Sequence, residues 1–371
     1  MMDKSLKYRL FPTKQQATLL GAQLNECRWL YNKLLEERRD NWEQRQEGLS
    51  YFKQCKRITE LKTERPGLSS VYSQTLQNVA DRLDKGFQAF FRRVKVGEKP
   101  GYPRFKGFDR YDSFTYTQFG FGIKDSCLNL AKIGLIKIKL HRQTFGTIKT
   151  CTIRRQAGKW YACFAIQYEP EPLPKSDRAV GIDVGLKSFA TLSTGDKIAN
   201  PRFFRTDGKA LAKAQRKLSK WEKEAPERHK AKKVVCRIHE RIFNKRHNFI
   251  HQESRKLVNQ FGLIAVEKLN INGMLSNHCL AKSISDASWG QFINILSAKA
   301  EEARREFVMV NPSGTSQLCS RCHSLVPKDL SVRIHSCPVC GLVLDRDLNA
   351  SFNILALGLQ SLGKIPRSPA L

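Results

Sequence analysis

Apolar and polar positions in the N-terminal half predict a strand, a helical unit and then a β-rich segment. Residues 6–11 have the character of a short strand, and Thr13 with Gln16 fits a capping box that opens a helix with leucines at helical spacing. A second apolar helical stripe follows. Polar and apolar positions then alternate over residues 110–172, with a hairpin turn expected at residues 157–158. We therefore expect a small β-barrel, completed by the N-terminal strand and interrupted by the helical unit.

The C-terminal half follows a proline-rich segment, residues 169–177, which we interpret as a linker. Residues 178–200 predict a β-hairpin that turns at residues 195–196, and two helical patterns with basic outer faces come next. Residues 263–267 predict a buried strand, and after a further helix residues 307–310 predict another. This mixture of strands and helices predicts a multidomain α/β protein.

Net charge points to a polyanionic partner. The chain has 371 residues, with 65 Lys and Arg against 34 Asp and Glu, a formal charge of +31 and a pI near 9.9. Its hydrophobic content of 41% is that of a folded protein and excludes a disordered basic tail. The alternative of a merely soluble basic protein is weaker, because such an excess of charge repels itself unless a polyanion screens it. Nucleic acid is the leading candidate.

Membrane insertion and secretion are not indicated. No run of eighteen apolar residues occurs, and the first ten residues lack a signal-peptide core. We therefore expect a soluble, cytoplasmic protein without a membrane partner.

Cysteine spacing predicts a zinc site. Seven of the eleven cysteines are scattered singly, and the other four form two CxxC pairs separated by fourteen residues: Cys319, Cys322, Cys337 and Cys340. This spacing is typical of a tetrahedral Cys₄ zinc ribbon. A closed four-thiolate site leaves no position for substrate, so we expect Zn²⁺ to be structural. A redox role is disfavoured, because neither pair opens a helix after a strand.

Acidic residues interrupt apolar segments at three places. Asp183 lies within a predicted strand, Glu267 ends another, and Asp345 and Asp347 precede a segment with helical pattern. Burying a carboxylate is costly unless something pairs with it. Three carboxylates that converge from two strands and a helix could hold two Mg²⁺ ions about 4 Å apart, which activate water and stabilise the leaving oxygen of a phosphodiester.

Each acid alone is explained as well by helix capping or by pairing with a lysine. The set of three in a very basic chain favours the metal site. Their order along the chain, Asp, Glu, Asp, is that of RuvC-type nucleases, whereas DDE transposases have the order Asp, Asp, Glu.

Six motifs, spread almost from end to end, carry a family resemblance. They are YRLFPTKQQ, PRFKGFDRYDSF, GIDVGLKSFATLS, AVEKLNINGM, NPSGTSQLCSRC and CGLVLDRDLNASFNI. In these the chain resembles the TnpB family of transposon-encoded RNA-guided DNA endonucleases, which are related to type V CRISPR effectors.

The resemblance implies a domain organisation. It comprises a wedge β-barrel (residues 1–12 and 109–176), a helical recognition lobe (13–108), an RNase H-like RuvC nuclease domain (177–310 and 343–371), and an inserted zinc ribbon near the target strand (311–342).

By the same resemblance Asp183, Glu267 and Asp347 match the catalytic, Mg²⁺-binding triad. Asp347 is preferred to Asp345 because it directly precedes the family's Leu-Asn-Ala. Side chains two residues apart on a helix point to different faces, so both acids cannot be direct ligands at once. We therefore expect Asp345 to cap or brace the helix. His323 replaces a glycine usual in the family, where glycine suits a positive φ. The histidine therefore either strains the knuckle or contacts the metal.

The resemblance also implies the partners: a guide RNA from the transposon end and double-stranded target DNA beside a short adjacent motif, bound by a monomeric protein in a ribonucleoprotein that associates with the prokaryotic nucleoid. Candidate nucleic-acid contacts are Tyr72, Gln74, Gln77, Arg104 and Lys106. Two other functions are weighed: a nuclease-inactive RNA-guided DNA-binding regulator, which the three intact carboxylates disfavour, and a classical transposase, which their order disfavours.

Overall fold

Two compact units make up the chain. The computed structural model describes residues 1–222, 224–329 and 331–364, and it divides between Glu169 and Pro170. This division falls inside the segment expected to be a linker. No described helix has the length and apolar character needed to cross a membrane.

A seven-stranded antiparallel sheet forms the framework of the first unit. Its strands are β1 (Met2–Phe11), β2 (Ser113–Tyr116), β3 (Phe121–Lys124), β4 (Cys127–Leu130), β5 (Gly134–Lys139), β6 (Thr147–Gln156) and β7 (Lys159–Tyr168). Their order is β2-β6-β7-β1-β5-β4-β3, so β2 and β3 are the two edges. The predicted small β-barrel is therefore present as a half-barrel sheet with two open edges. The hairpin turn is confirmed, with φ values of 47° at Ala157 and 75° at Gly158.

Three helices complete this unit: α1 (Lys14–Arg45), α2 (Tyr51–Glu64) and α3 (Ser73–Lys95). The predicted capping box is present, because Thr13 accepts from the backbone of Gln16 and the Gln16 side chain accepts from the backbone of Thr13. The apolar stripe of α3 is buried at Leu76, Val79 and Leu83 and joins the core beneath the sheet.

The second unit contains a five-stranded mixed sheet. Its strands are β8 (Ala179–Val184), β9 (Ser188–Leu192), β10 (Lys197–Ala199), β11 (Leu263–Glu267) and β12 (Glu306–Val310). The order is β10-β9-β8-β11-β12, with β8, β11 and β12 parallel and β9 antiparallel to both of its neighbours. The predicted hairpin over residues 178–200 has three strands, because the chain also turns at residues 185–187. Strand β11 has the bounds that were predicted.

The helices of this unit are α4 (Phe203–Ser219), α5 (Pro226–Gln260), α6 (Ile271–Leu275), α7 (His278–Ala287), α8 (Trp289–Glu302) and α9 (Arg346–Ser361). A small two-stranded sheet pairs β13 (Ile334–Ser336) with β14 (Val343–Asp345). The short helices α6 and α7 were not predicted. The last residues of the predicted nuclease domain, 365–371, lie outside the described residues.

The two faces of this sheet have different covers. Val180, Ile182, Ile264 and Val266 pack in one core with residues of α5 and α8. The alternate positions of the same strands form a second core with α9. Helix α9 therefore covers the face opposite α5 and α8.

Candidate active site and metal centre

Asp183 and Glu267 lie next to each other at the carboxyl ends of two parallel strands. The last paired residues of β8 and β11 are Ile182 and Val266, and each acid follows directly. Side chains alternate along a strand, so both acids belong to the face that α9 covers. Neighbouring strands are about 5 Å apart, which brings the two carboxylates into the same small region.

Close packing of α9 on the sheet depends on glycines. A Cβ at Gly181 would collide with the carbonyl oxygen of Ser351. A Cβ at Gly358 would lie 2.6 Å from the Cβ of Ala265. Both positions therefore need glycine for the helix to approach the strands this closely.

These contacts are on the face that carries the acids. Gly181 is two residues before Asp183, and Ala265 is two residues before Glu267. Positions two apart on a strand lie on the same face of the sheet, so α9 packs on the face of both acids. Asp347 is in the first turn of the helix that packs there. The sheet and α9 together bring Asp347 towards the two strand-end carboxylates.

Electrostatics reflects this convergence. Burial raises the pKa of Asp183 well above its usual range, and the charges of Glu267 and Asp347 raise it further, while Arg346 opposes the shift. Like charges that share a site disfavour ionisation of one another. A bound divalent cation would remove that penalty, so this donor set suits an oxygen-preferring ion such as Mg²⁺.

Glu267 has a partner that the sequence did not reveal. It is only 8% exposed, and the hydroxyl of the buried Thr315 donates a hydrogen bond to its Oε1 at 2.5 Å. Burial raises the pKa of Glu267, and the Thr315 hydrogen bond opposes that rise. Thr315 belongs to the motif NPSGTSQLCSRC, but no sequence pattern distinguishes it from an ordinary loop residue.

Asp345 caps α9, as predicted. Its carboxylate accepts from the backbone N–H groups of Asp347 at 2.9 Å and Leu348 at 3.3 Å, and Lys197 Nζ lies 2.7 Å away. Burial alone would raise the pKa of Asp345, but the hydrogen bonds from Lys197 and the two N–H groups lower it. Asp345 is thus held as a carboxylate by the protein itself.

Asp347 faces basic side chains. Its Oδ1 lies 3.2 Å from Nη2 of Arg346 and 3.9 Å from Nη1 of Arg333. Within the described chain, the compact group of metal-ligating side chains is formed by cysteines, so the three carboxylates do not share a single ligand sphere. In a two-ion site the metals are about 4 Å apart, so the carboxylates that bind them need not all surround one ion.

The cysteine cluster has the predicted members and a geometry that suits zinc. The sulfur atoms of all four lie within 4.8 Å of one another, with 3.6 Å between Cys319 and Cys340 and 3.5 Å between Cys322 and Cys337. Zinc–sulfur bonds of about 2.3 Å at tetrahedral angles place sulfurs about 3.8 Å apart. The cluster therefore fits a closed Zn²⁺ site.

The two knuckles have matching backbones. His323 and Gly341 each follow the second cysteine of a pair, with φ values of 60° and 72°. Their N–H groups donate to the carbonyls of Cys319 and Cys337 at 2.9 and 3.0 Å. The expected positive φ at His323 is confirmed, and the ligand cluster in the described chain does not include this histidine.

The candidate nucleic-acid contacts on α3 differ in accessibility. Tyr72 precedes the helix and is half-buried, with its ring stacked on that of Tyr116 at 5.8 Å. Gln77 is exposed. Gln74 is half-buried, and its Oε1 has no hydrogen-bond partner among the described residues. Their role in binding stays a prediction.

The remaining two candidates lie between α3 and β2, just after Pro103. Arg104 is exposed. The backbone N–H and carbonyl of Lys106 are both bound by the side chain of Asn32, at 2.8 and 3.0 Å, and its Nζ lies 5.8 Å from the ring centroid of Tyr31. Lys106 therefore also fixes this segment to α1.

Three family models match the chain. They are described as "Probable transposase" (OrfB_IS605) over residues 163–278, "Cas12f1-like, TNB domain" over residues 289–354 and "Helix-turn-helix domain" over residues 1–47. The last range forms β1 and one long helix in this structure.

Similar proteins match over almost the whole chain. A "Putative RNA-guided DNA endonuclease" of Streptomyces pristinaespiralis is 37% identical over 369 residues, covering 96% of this chain and 90% of the relative. The "Putative RNA-guided DNA endonuclease InsQ" of Escherichia coli K12 is 30% identical over 380 residues, covering 96% and 92%. Among solved structures, a cryo-EM Cas12f1–sgRNA–target DNA complex is 16% identical with a TM-score of 0.36, covering 96% of this chain and 99% of the other.

Proposed function

Because this chain belongs to the TnpB family, we propose that it is an RNA-guided DNA endonuclease encoded by an insertion-sequence transposon. It would bind a guide RNA and hydrolyse target DNA beside a short transposon-adjacent motif. The observation that carries this proposal is the convergence of Asp183, Glu267 and the N-terminal turn of α9 on one face of the sheet. Two relatives support it, because their names state this activity and the match covers 90% and 92% of their lengths.

The nuclease domain is proposed to be RuvC-type, formed by residues 177–310 and 343–371. Asp183 lies on the first strand of the second unit's sheet, Glu267 on the fourth, and Asp347 on a late helix. This is the arrangement expected for a RuvC-type RNase H-like fold. Within the rest of the chain, the wedge, recognition lobe and zinc ribbon keep the bounds given above.

Asp183, Glu267 and Asp347 would hold the Mg²⁺ ions. When bound, the ions would supply Lewis-acid activation of water and stabilisation of the leaving oxygen of the phosphodiester. The chain's own contribution is to fix the ligands: Thr315 orients Glu267, and the cap formed by Asp345 fixes the first turn of α9. Removing the Thr315 hydroxyl would cost on the order of 10- to 100-fold in metal affinity or activity.

The positive charge serves two nucleic acids. Base pairing with the guide would select the target, while Lys and Arg neutralise phosphates of RNA and DNA. Arg104 and Gln77 are exposed and suit direct contact. Tyr72 and Lys106 are partly engaged within the protein, and Gln74 is half-buried. The zinc ribbon, being a closed site, would act structurally beside the target strand.

The test is programmed cleavage. The protein is purified with its co-expressed RNA, and matched and scrambled DNA targets are incubated with Mg²⁺, using guides of two unrelated sequences. Cutting that follows the guide supports the proposal. Guide-dependent binding without cutting would identify a nuclease-inactive regulator, and joined DNA ends would identify a transposase; either result contradicts the proposal.

A further inference from the structure

The segment 312–320 lies between the two candidate metal sites. It begins after β12, and it carries Thr315, whose hydroxyl contacts Glu267, and Cys319, a zinc ligand. Thr315 is 2% exposed and its hydroxyl also lies 3.0 Å from the carbonyl of Pro312. Both neighbours can only accept, and an ionised Glu267 is the nearer and the charged acceptor, so the hydroxyl proton is directed at Glu267.

Helix α9 holds the same segment through two buried asparagines. Asn353 Nδ2 donates to the carbonyls of Thr315 and Leu318, both at 2.8 Å. Asn349 Nδ2 donates to Leu318 O at 2.8 Å, and its Oδ1 accepts from the N–H of Ser320 at 2.9 Å. Asn349 is 0% exposed and Asn353 5%. A buried amide with these bonds resists displacement, because breaking them leaves unpaired polar groups.

The segment is also tied within itself and to the first knuckle. The N–H groups of Gln317 and Leu318 both donate to the carbonyl of Gly314 at 2.9 Å. The carbonyl of Cys319 then accepts from His323 in the knuckle. A change in the position of Cys319 is therefore transmitted to Thr315 through a short, hydrogen-bonded stretch of backbone.

We propose that Thr315 is a positioning residue that couples the zinc knuckle to Glu267, so that a metal ion at either site stabilises binding of metal at the other. This coupling depends on the proposed function in one respect, because it takes Glu267 to be a ligand of the catalytic metal. Zinc ordering Cys319 would fix the Thr315 hydroxyl at the carboxylate. By reciprocity, a divalent ion that fixes Glu267 would hold the knuckle closed.

A purely structural threonine would behave differently. It would contribute to folding whether or not either metal is bound, and its loss would lower stability equally with and without Mg²⁺. The coupled threonine instead changes how one site responds to occupancy of the other. The distinguishing variants are Thr315→Val, which keeps the shape and removes the hydroxyl, and Thr315→Ser, which keeps the hydroxyl.

The first measurement uses the full-length zinc-loaded protein and needs no nuclease activity. The rate of zinc release to a zinc-selective colorimetric chelator is compared with and without Mg²⁺ for wild type, Thr315→Val, Thr315→Ser and Asp183→Ala. We expect Mg²⁺ to slow release by about fivefold or more in wild type and Thr315→Ser. In Thr315→Val and Asp183→Ala the effect of Mg²⁺ should be lost. Unfolding midpoints of the zinc-loaded variants verify that each is folded.

The second measurement is Mn²⁺ binding to the same samples, followed by electron paramagnetic resonance. Thr315→Val should weaken it by about tenfold. If wild type binds Mn²⁺ in an Asp183-dependent way but zinc release does not respond, or responds equally in Thr315→Val, the coupling is wrong and the proposed function stands. If wild type and Asp183→Ala bind Mn²⁺ alike, the carboxylate metal site itself is wrong, and the coupling falls with it.

Discussion

The carboxylate of Asp345 accepts a hydrogen bond from the backbone N–H of Asp347 at 2.9 Å, so the first of these two acids caps the helix that carries the second. This relationship gives the two aspartates different roles. Asp345 is occupied by the helix terminus and by Lys197. Asp347, whose carboxylate lies near Arg346 and Arg333, is the one that we propose acts with the strand-end carboxylates.

Replacing Asp345 should cost stability more than chemistry. Asp345→Ala removes the cap and should lower the free energy of unfolding by about 1 kcal/mol, whereas Asp345→Asn keeps an accepting oxygen and should lose only a few tenths. Denaturant unfolding of the zinc-loaded protein measures both. Equal stability of the alanine variant and wild type would contradict the role assigned to the cap.

Asp183 should make the protein without added divalent cations less stable as pH rises. Its folded pKa lies above the unfolded value of about 3.9, so the folded state binds the proton more tightly in between. Stability therefore falls as pH rises through the folded pKa. Asp183→Asn, which cannot ionise, should be more stable than wild type at about pH 8, with the gap closing towards about pH 4.

Wild type and Asp183→Asn also test whether Mg²⁺ binds at Asp183. Mg²⁺ should raise the unfolding midpoint of wild type at high pH and have little effect on Asp183→Asn, because the ion offsets the repulsion that the variant lacks. Thermal unfolding across the pH range, with and without Mg²⁺, gives the comparison. If the unfolding midpoints of the two proteins change with pH in parallel, the ionised form of Asp183 is not destabilised by its surroundings.

The left-handed backbone at His323 offers a stabilising substitution. Glycine adopts a positive φ without the penalty of a side chain, so His323→Gly should stabilise the zinc-loaded protein by about 0.5–1 kcal/mol. The matched control is Gly341→Ala at the equivalent position of the second knuckle, which should destabilise by about 1 kcal/mol. Zinc content after dialysis reports whether the metal is retained. A loss of zinc in His323→Gly would mean that the histidine supports the site.

Arg104 should contribute to nucleic-acid binding through charge. Arg104→Gln should weaken guide-RNA binding and reduce the slope of log affinity against log salt by about one unit. Arg93, which pairs with Glu98 at 2.5 Å and is also exposed, provides the charge-matched control Arg93→Gln. Binding isotherms at several salt concentrations distinguish the two. An equal loss in both variants would indicate a general effect of net charge.

Features encoded by neighbouring residues could be predicted from the sequence. The capping box of Thr13, the zinc-ligand spacing, the strand that ends at Glu267 and the capping role of Asp345 all depend on local pattern. Each is fixed within one short stretch of sequence by hydrogen bonding, periodicity or ligand geometry. These are also the features on which the candidate site is built.

Features that depend on contacts between distant parts of the chain could not be predicted from the sequence. Thr315 meets Glu267 across 48 positions of sequence, and in its motif it resembles any polar loop residue. The first sheet has open edges because β2 and β3 do not pair with each other, and alternation does not specify a strand's partner. The close approach of α9 through Gly181 and Gly358 likewise becomes apparent only when helix and sheet are packed together.

We propose that Asp183, Glu267 and Asp347 form one hydrolytic site that acts on DNA selected by a guide. The most direct measurement is cleavage of a guide-matched target in Mg²⁺ by ribonucleoproteins carrying Asp183→Asn, Glu267→Gln or Asp347→Asn, with target binding measured on the same samples. We predict that all three bind the target as wild type does and that each loses cleavage by at least about 100-fold. Cleavage at the wild-type rate by any one of them would contradict the claim.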